Sequence, residues 1–255
     1  MSGAACVGVV AAHAAPVAGA VAPAAHARTS AAAPRVETMV VGRQGEALSA
    51  ARVRTARATR LVVGGRRCAV GAATPLAALA ATPLALRFKD FGSCSPSRPR
   101  DATGLFVTTV AGQRNRGSNG WVYKVGSRAG TAGAADLGGP FGDGRRLRAH
   151  QQVLWFWCVM GAKGCQRTLV VTAARRSVRQ DEAIVVTVTG NDDRGKAVPV
   201  AGARVTFQAG QAVTGPDGGA TLPATEATPA GGAAVSATAP GLVRSFPANV
   251  TVSAP

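Results

Sequence analysis

The chain reads as mainly β: a small α+β domain in which one helix lies on a sheet, followed by an antiparallel β-sandwich. Three observations predict this. Gly120-Trp121-Val122-Tyr123-Lys124-Val125 and Val153-Leu154-Trp155-Phe156-Trp157-Cys158 are short period-2 segments that hold all three tryptophans and the only tyrosine. Thr74 to Ala81 is the one clear helical signal. Residues 168–252 carry about seven alternating segments divided by turn signals, the rhythm of a sandwich.

Taken in order, residues 1–27 have no charged side chain and run through Val7 to Ala12, Val17 and Val21 to Ala25-His26-Ala27. Small residues at 25 and 27 fit an A-x-A cleavage site, so this segment reads as a signal peptide. A basic leader region is missing, so either translation starts upstream of Met1 or the signal is atypical. The alternative is an Ala-rich tail. Pro16 and Pro23 interrupt the run, which argues against a transmembrane helix. Residues 28–50 read as a flexible lead-in.

The first domain is expected over 51–166. Arg52-Val53-Arg54 and Arg60 to Val63 are β-prone and end at the Gly64-Gly65 turn. Thr74 can cap a helix, Pro75 suits its first position, and Leu76 and Leu79 share a face. Thr82-Pro83 stops it. Leu84 to Phe88, Leu105 to Val110, Trp121 to Val125 and Val153 to Val159 then read as strands, and Gly126 to Gly144 as a long Gly/Ala-rich loop.

The second domain is expected over 167–255. Strand segments fall at 168–173, 183–189, 203–208, 212–214, 220–222, 233–239 and 249–252, with turns at Asn191 to Gly195 and Gly215 to Gly219. Seven strands in a segment of this size are the pattern of an immunoglobulin-like sandwich.

Apart from Cys6 the chain has four cysteines, Cys68, Cys94, Cys158 and Cys165, an even number suited to disulfides and to an oxidising compartment. Three pairings are open, of which Cys68 with Cys94 and Cys158 with Cys165 are the local ones. Metal binding is disfavoured, since no C-x-x-C occurs and His150 is the only histidine after the leader. No cofactor motif is present, because the Gly-rich stretches lack G-K-[ST]. The expected location is secreted or extracellular, with envelope association open and no membrane-spanning anchor.

Charge is lopsided. The formal net charge is +17, carried by 25 arginines and four lysines against 12 acids. Residues 28–167 hold 22 basic and 6 acidic side chains, whereas 168–255 hold 7 and 6. A basic first domain attracts anionic partners such as cell-envelope polymers, or another surface protein. Nucleic acid is disfavoured, because no helix-turn-helix, zinc knuckle or RNA-binding motif accompanies the charge.

Cys68-Ala69-Val70, Thr74 to Leu79, Leu105 to Gly112, Gly120 to Val125 and Val153 to Trp157, in that order, resemble a bacterial domain of unknown function related to the transcobalamin C-terminal β domain. Gly126 and Arg148-Ala149-His150-Gln151 depart from that family's Val-Asn-Gly and Gly-Asp turns. The resemblance covers about residues 50–160 and implies capture of a small, corrinoid-like ligand. The helical domain that completes the ligand site in transcobalamins is missing from this sequence. The C-terminal half, about residues 167–255, resembles bacterial Ig-like and carboxypeptidase-regulatory-like modules through Pro199 to Val205, Thr214 to Ala220 and Val235 to Gly241, which implies a spacer or adhesive unit.

No set of residues forms an acid, base and nucleophile group, so no enzymatic activity is expected. Trp121 and Tyr123 share one strand face, and Trp155 and Trp157 share another. They are the candidate ligand face, with core packing the favoured alternative in a domain otherwise built from Ala and Val. Arg145, Arg146 and Arg148 are a candidate anion-binding cluster, as are Arg66 and Arg67, with solvated edges as the plainer reading. His150 reads as a turn histidine, and Asn191-Asp192-Asp193 as a hairpin turn rather than a calcium loop.

Overall fold

The computed structural model describes residues 32–92, 94–95, 104–208, 210–222 and 230–254. The expected signal segment, residues 1–27, lies outside them. In chain order the first half carries β1 (Arg35–Val41), β2 (Ala47–Thr55), β3 (Thr59–Val63), β4 (Arg66–Val70), α1 (Pro75–Ala80), β5 (Leu86–Asp90), β6 (Leu105–Val110), β7 (Gln113–Arg114), β8 (Gly120–Val125), β9 (Arg128–Ala129) and β10 (Gln152–Cys158). The principal sheet has the order β2-β1-β10-β8-β9, with β3-β4 and β5-β6-β7 as separate small sheets.

The expected flexible lead-in is corrected from Arg35 onward: residues 35–41 are a central strand and β2 begins at Ala47. β1 pairs parallel with β10, Val40 opposite Trp155 and Val41 opposite Phe156. A strand between two neighbours buries both faces. Val36 and Val40 enter one core and Met39 and Val41 another, so the segment lacks the simple alternation by which half-buried strands are read.

The helix forms as its sequence dictates. Thr74 Oγ1 accepts the Ala77 N–H at 3.2 Å, a cap that contributes about 1 kcal/mol, and Pro75 occupies the first turn. Leu76, Ala77, Ala78 and Leu79 are buried against the sheet. The Trp155 indole N–H donates to the Pro75 carbonyl at 3.1 Å, tying the helix to β10.

The second half is an immunoglobulin-like sandwich of β11 (Thr168–Ala173), β12 (Ser177–Arg179), β13 (Ile184–Asn191), β14 (Ala197–Pro199), β15 (Arg204–Phe207), β16 (Gly210–Val213), β17 (Gly219–Leu222), β18 (Gly231–Thr238) and β19 (Ala248–Ser253). One sheet is β11-β13-β14, with β17 also paired to β13, and the other is β12-β19-β18-β15-β16. All pairings are antiparallel except β12 with β19. Alternation set these strands: Ile184, Val186 and Val188 point inward from one sheet, and Val235 and Ala237 from the other.

A third apolar cluster joins the halves. The face of the principal sheet opposite the helix contributes Met39, Val41, Leu154, Phe156 and Cys158, and the sandwich contributes Val243 with Phe246 packed alongside. β10 is therefore buried on both sides, its odd residues under the helix and its even residues at the seam.

Candidate functional site

The four aromatic residues of the candidate ligand face are interior. Trp121, Tyr123, Trp155 and Trp157 are 5, 7, 1 and 3 % exposed and belong to the core under the helix. Trp157 lies directly opposite Trp121, and Trp155 opposite Tyr123, in the β8–β10 ladder. The first pair meets edge-to-face at 5.8 Å and the second is tilted at 5.3 Å. The reading as an open ligand face is corrected: these rings fill a core made otherwise of small side chains.

The Gly-rich segment 126–144 explains why Tyr123 is covered. The Tyr123 hydroxyl donates to the Ala132 carbonyl at 2.7 Å, with the Pro140 carbonyl at 3.2 Å. Gly130 lies so close to this ring that a Cβ would run into it, so the loop can fold down only with glycine there. The loop then pins the helix, through the Leu76 N–H to the Ala134 carbonyl at 2.7 Å. Burial pushes the Tyr123 phenol well above its ordinary value near 10, and the Asp136 carboxylate adds to this. The folded chain keeps a proton that the unfolded chain loses, so this group's contribution to stability is complete below about pH 10 and lost as pH climbs above it. Because Tyr123 is the only tyrosine, phenolate absorbance should stay absent from the native protein up to about pH 11 and appear near 10 in denaturant. A native titration near pH 10 would contradict the buried phenol.

The cysteines pair as Cys68–Cys94 and Cys158–Cys165, with Cα atoms 4.8 and 5.2 Å apart. The first fastens the β3–β4 hairpin to the end of β5, and the second closes the turn after β10.

Arg145, Arg146 and Arg148 are exposed, while Leu147 between them is buried and its N–H donates to the Ala73 carbonyl at 2.9 Å. The Arg146 Nε–H donates to the Leu137 carbonyl at 2.9 Å, so that guanidinium is engaged in holding the covering loop. Arg66 pairs with Asp90 at 2.8 Å. His150 sits exposed in a turn at φ 66°. Asp192 closes the expected hairpin turn by accepting the Lys196 N–H at 2.8 Å and the Arg194 N–H at 3.0 Å. The Lys196 contact leads in holding its carboxyl below the usual value. No group of three or more metal-ligating side chains occurs among the described residues.

Sequence reasoning missed Lys124. It faces the seam, is 0 % exposed, and its ammonium donates to the carbonyls of Asn191 at 3.0 Å and Asp192 at 2.8 Å and to Thr168 Oγ1 at 3.3 Å. The Asp193 carboxylate lies 3.6 Å away and also accepts the Cys165 N–H at 2.9 Å. Burial pulls the Lys124 ammonium below the ordinary lysine value, and Asp193 opposes this. The only sequence signal was a lone lysine inside an apolar strand.

The concave surfaces among the described residues include two with several cations in their linings. A polar groove of about 760 Å³ lies between the β3–β4 hairpin and the β5–β6–β7 sheet, and Arg87, Lys89 and Arg114 share its lining with Val62 and Thr108. Exposed Arg67 stands opposite Val62 in the hairpin, and Arg60 is two residues before it. Beside the groove, exposed Phe91 and Phe106 meet edge-to-face at 6.4 Å with the Lys89 ammonium 4.5 Å from the Phe91 ring. The second concavity, about 810 Å³, opens at the seam between the β1–β2 turn, the Cys158–Cys165 turn and the loop from β18 to β19.

No protein-family model matches the chain. No curated protein matches it. Among solved structures, the D00-D0 domain of intimin is similar at 18 % identity over 65 % of this chain and 78 % of that one, with a TM-score of 0.24. Murine CEACAM1b is similar at 15 % identity over 68 % of this chain and 88 % of that one, with a TM-score of 0.23. The fold described above rests on this chain's own strand order and cores. Two disulfides fit an extracellular protein, and no helix among the described residues is long and apolar enough to cross a membrane.

Proposed function

We propose that the protein is an exported, non-enzymatic interaction module of the bacterial envelope or exterior, engaging an anionic polymer through its basic first half. The observation that carries this is the polar groove in which Arg87, Lys89 and Arg114 converge without an acidic residue in the lining. Arg60 and Arg67 extend the same positive surface, and the nearby Asp90 is occupied by Arg66. Such a surface gains affinity from many weak charge contacts, and those contacts weaken as salt screens them.

Kinship with the transcobalamin β-domain family is supported by the capped helix followed by two aromatic strands. Its corrinoid implication required an open aromatic face, and the four rings are core. The proposal is tested by titrating poly(glycerol phosphate) and poly-L-glutamate against the protein. Binding should fall steeply between about 50 and 200 mM salt, within the range over which screening grows. The triple charge reversal Arg87→Glu, Lys89→Glu, Arg114→Glu should weaken it at least about tenfold, about 1.4 kcal/mol. No binding at low salt, or binding indifferent to the triple variant, would overturn the proposal.

A further inference from the structure

The seam concavity differs from the basic groove in chemistry. Its accessible apolar lining is Ala239, Pro240, Leu242 and exposed Val159, set over the buried Val41 and Val243. Its charged lining is Arg43, Lys163 and Arg244, with no acidic residue. Two carboxylates stand behind the lining and both are engaged: Asp193 faces Lys124, and Glu46 in the β1–β2 turn accepts the Gln44 N–H at 2.8 Å and the Gln113 side-chain amide. Arg43 lies over the Trp157 ring at 4.4 Å, and among the described residues neither Lys163 nor Arg244 has an ion pair. Its volume of about 810 Å³ falls within the range of small-molecule sites, roughly 300–1,000 Å³.

The walls are held in place rather than loose. The Cys158–Cys165 disulfide closes one. Gln166 straps the same turn twice, its Oε1 accepting the Val159 N–H at 2.8 Å and its Nε2 donating to the Trp157 carbonyl at 2.7 Å. The opposite wall is anchored by the Val243 N–H to the Arg167 carbonyl at 3.0 Å and the Leu169 N–H to the Val243 carbonyl at 2.8 Å. A wall fixed before binding loses little freedom on binding, which favours affinity.

From the apolar lining, the two cations without an ion pair, Lys163 and Arg244, and the preformed walls, we infer that the seam groove is a binding site for an amphiphile with an anionic head, a carboxylate or phosphate carried on an apolar chain. The chain lies on Pro240, Leu242 and Val159, and the head meets Lys163 and Arg244. A polar anionic polymer suits the β5–β7 groove and not this one, so the two sites are separable.

The test is isothermal titration calorimetry of the full chain with dodecyl phosphate below its micelle concentration, alongside dodecanoate, inorganic phosphate and the neutral dodecyl maltoside. Saturable binding of one dodecyl phosphate or dodecanoate is expected, with inorganic phosphate and the maltoside silent. Lys163→Glu, on an exposed turn, and Arg244→Gln should each weaken it several-fold and together at least tenfold. Arg87→Glu, in the other groove, should leave it unchanged. Non-saturable binding, equal binding of inorganic phosphate or the maltoside, or an undiminished affinity in the double variant would overturn the inference. Because the Arg87→Glu arm is silent here, failure at this site leaves the polymer-binding proposal standing.

Discussion

Trp155→Ala is expected to destabilise the protein by about 4 kcal/mol, the middle of the range for truncating a buried aromatic ring. Trp155 is 1 % exposed, packs on Tyr123 and donates its indole N–H to Pro75. Alanine empties the space beneath α1 and leaves the Pro75 carbonyl without that donor. Ala and Val neighbours are too short to collapse into the cavity, so little of the loss is recovered. Urea unfolding followed by far-UV circular dichroism measures it. A loss below about 1 kcal/mol would place the ring in a solvent-facing role instead.

Lys124→Ala is expected to cost about 3–5 kcal/mol, the range for removing one partner from a buried charged pair. The truncation leaves the carbonyls of Asn191 and Asp192 facing an apolar seam and Asp193 without its cation. The two halves meet at this point, so the variant should also raise hydrogen exchange at Ala129, whose N–H donates to the Asp193 carbonyl at 2.9 Å. The double variant Lys124→Met, Asp193→Asn should recover part of the loss, because it removes the uncompensated charge while keeping the apolar stem. If Lys124→Ala unfolds at the wild-type urea midpoint, the seam does not depend on this contact.

Much of the fold was legible. The Thr74 cap with Pro75 marked α1, and clean alternation marked β11, β13, β15 and β18, because each of those strands has one face in a core and one in water. β1 was not legible for the opposite reason: Val36, Met39, Val40 and Val41 are buried on two sides, so the period that identifies a half-exposed strand is absent. β10 carried the same message openly, since Val153 to Trp157 is an unbroken apolar run, the pattern of a strand covered on both faces. What the run does not say is what covers the second face. Lys124 follows from that gap: its partners are backbone carbonyls more than sixty residues away, set by how the sandwich docks and not by local spacing. The basic groove was hidden in the same way, because Arg87, Lys89 and Arg114 meet only when β7 folds back along β6. Arg145, Arg146 and Arg148 are exposed around the buried Leu147.

The aromatic strands are interior, and the proposed binding is assigned to the charged surfaces. Acrylamide quenching of tryptophan fluorescence tests it most directly, since all three tryptophans lie on β8 and β10 and none is more than 5 % exposed. The expected result is strong protection in the native protein that disappears in denaturant. Native quenching equal to that of the unfolded chain would put at least part of the aromatic face in water and contradict the account.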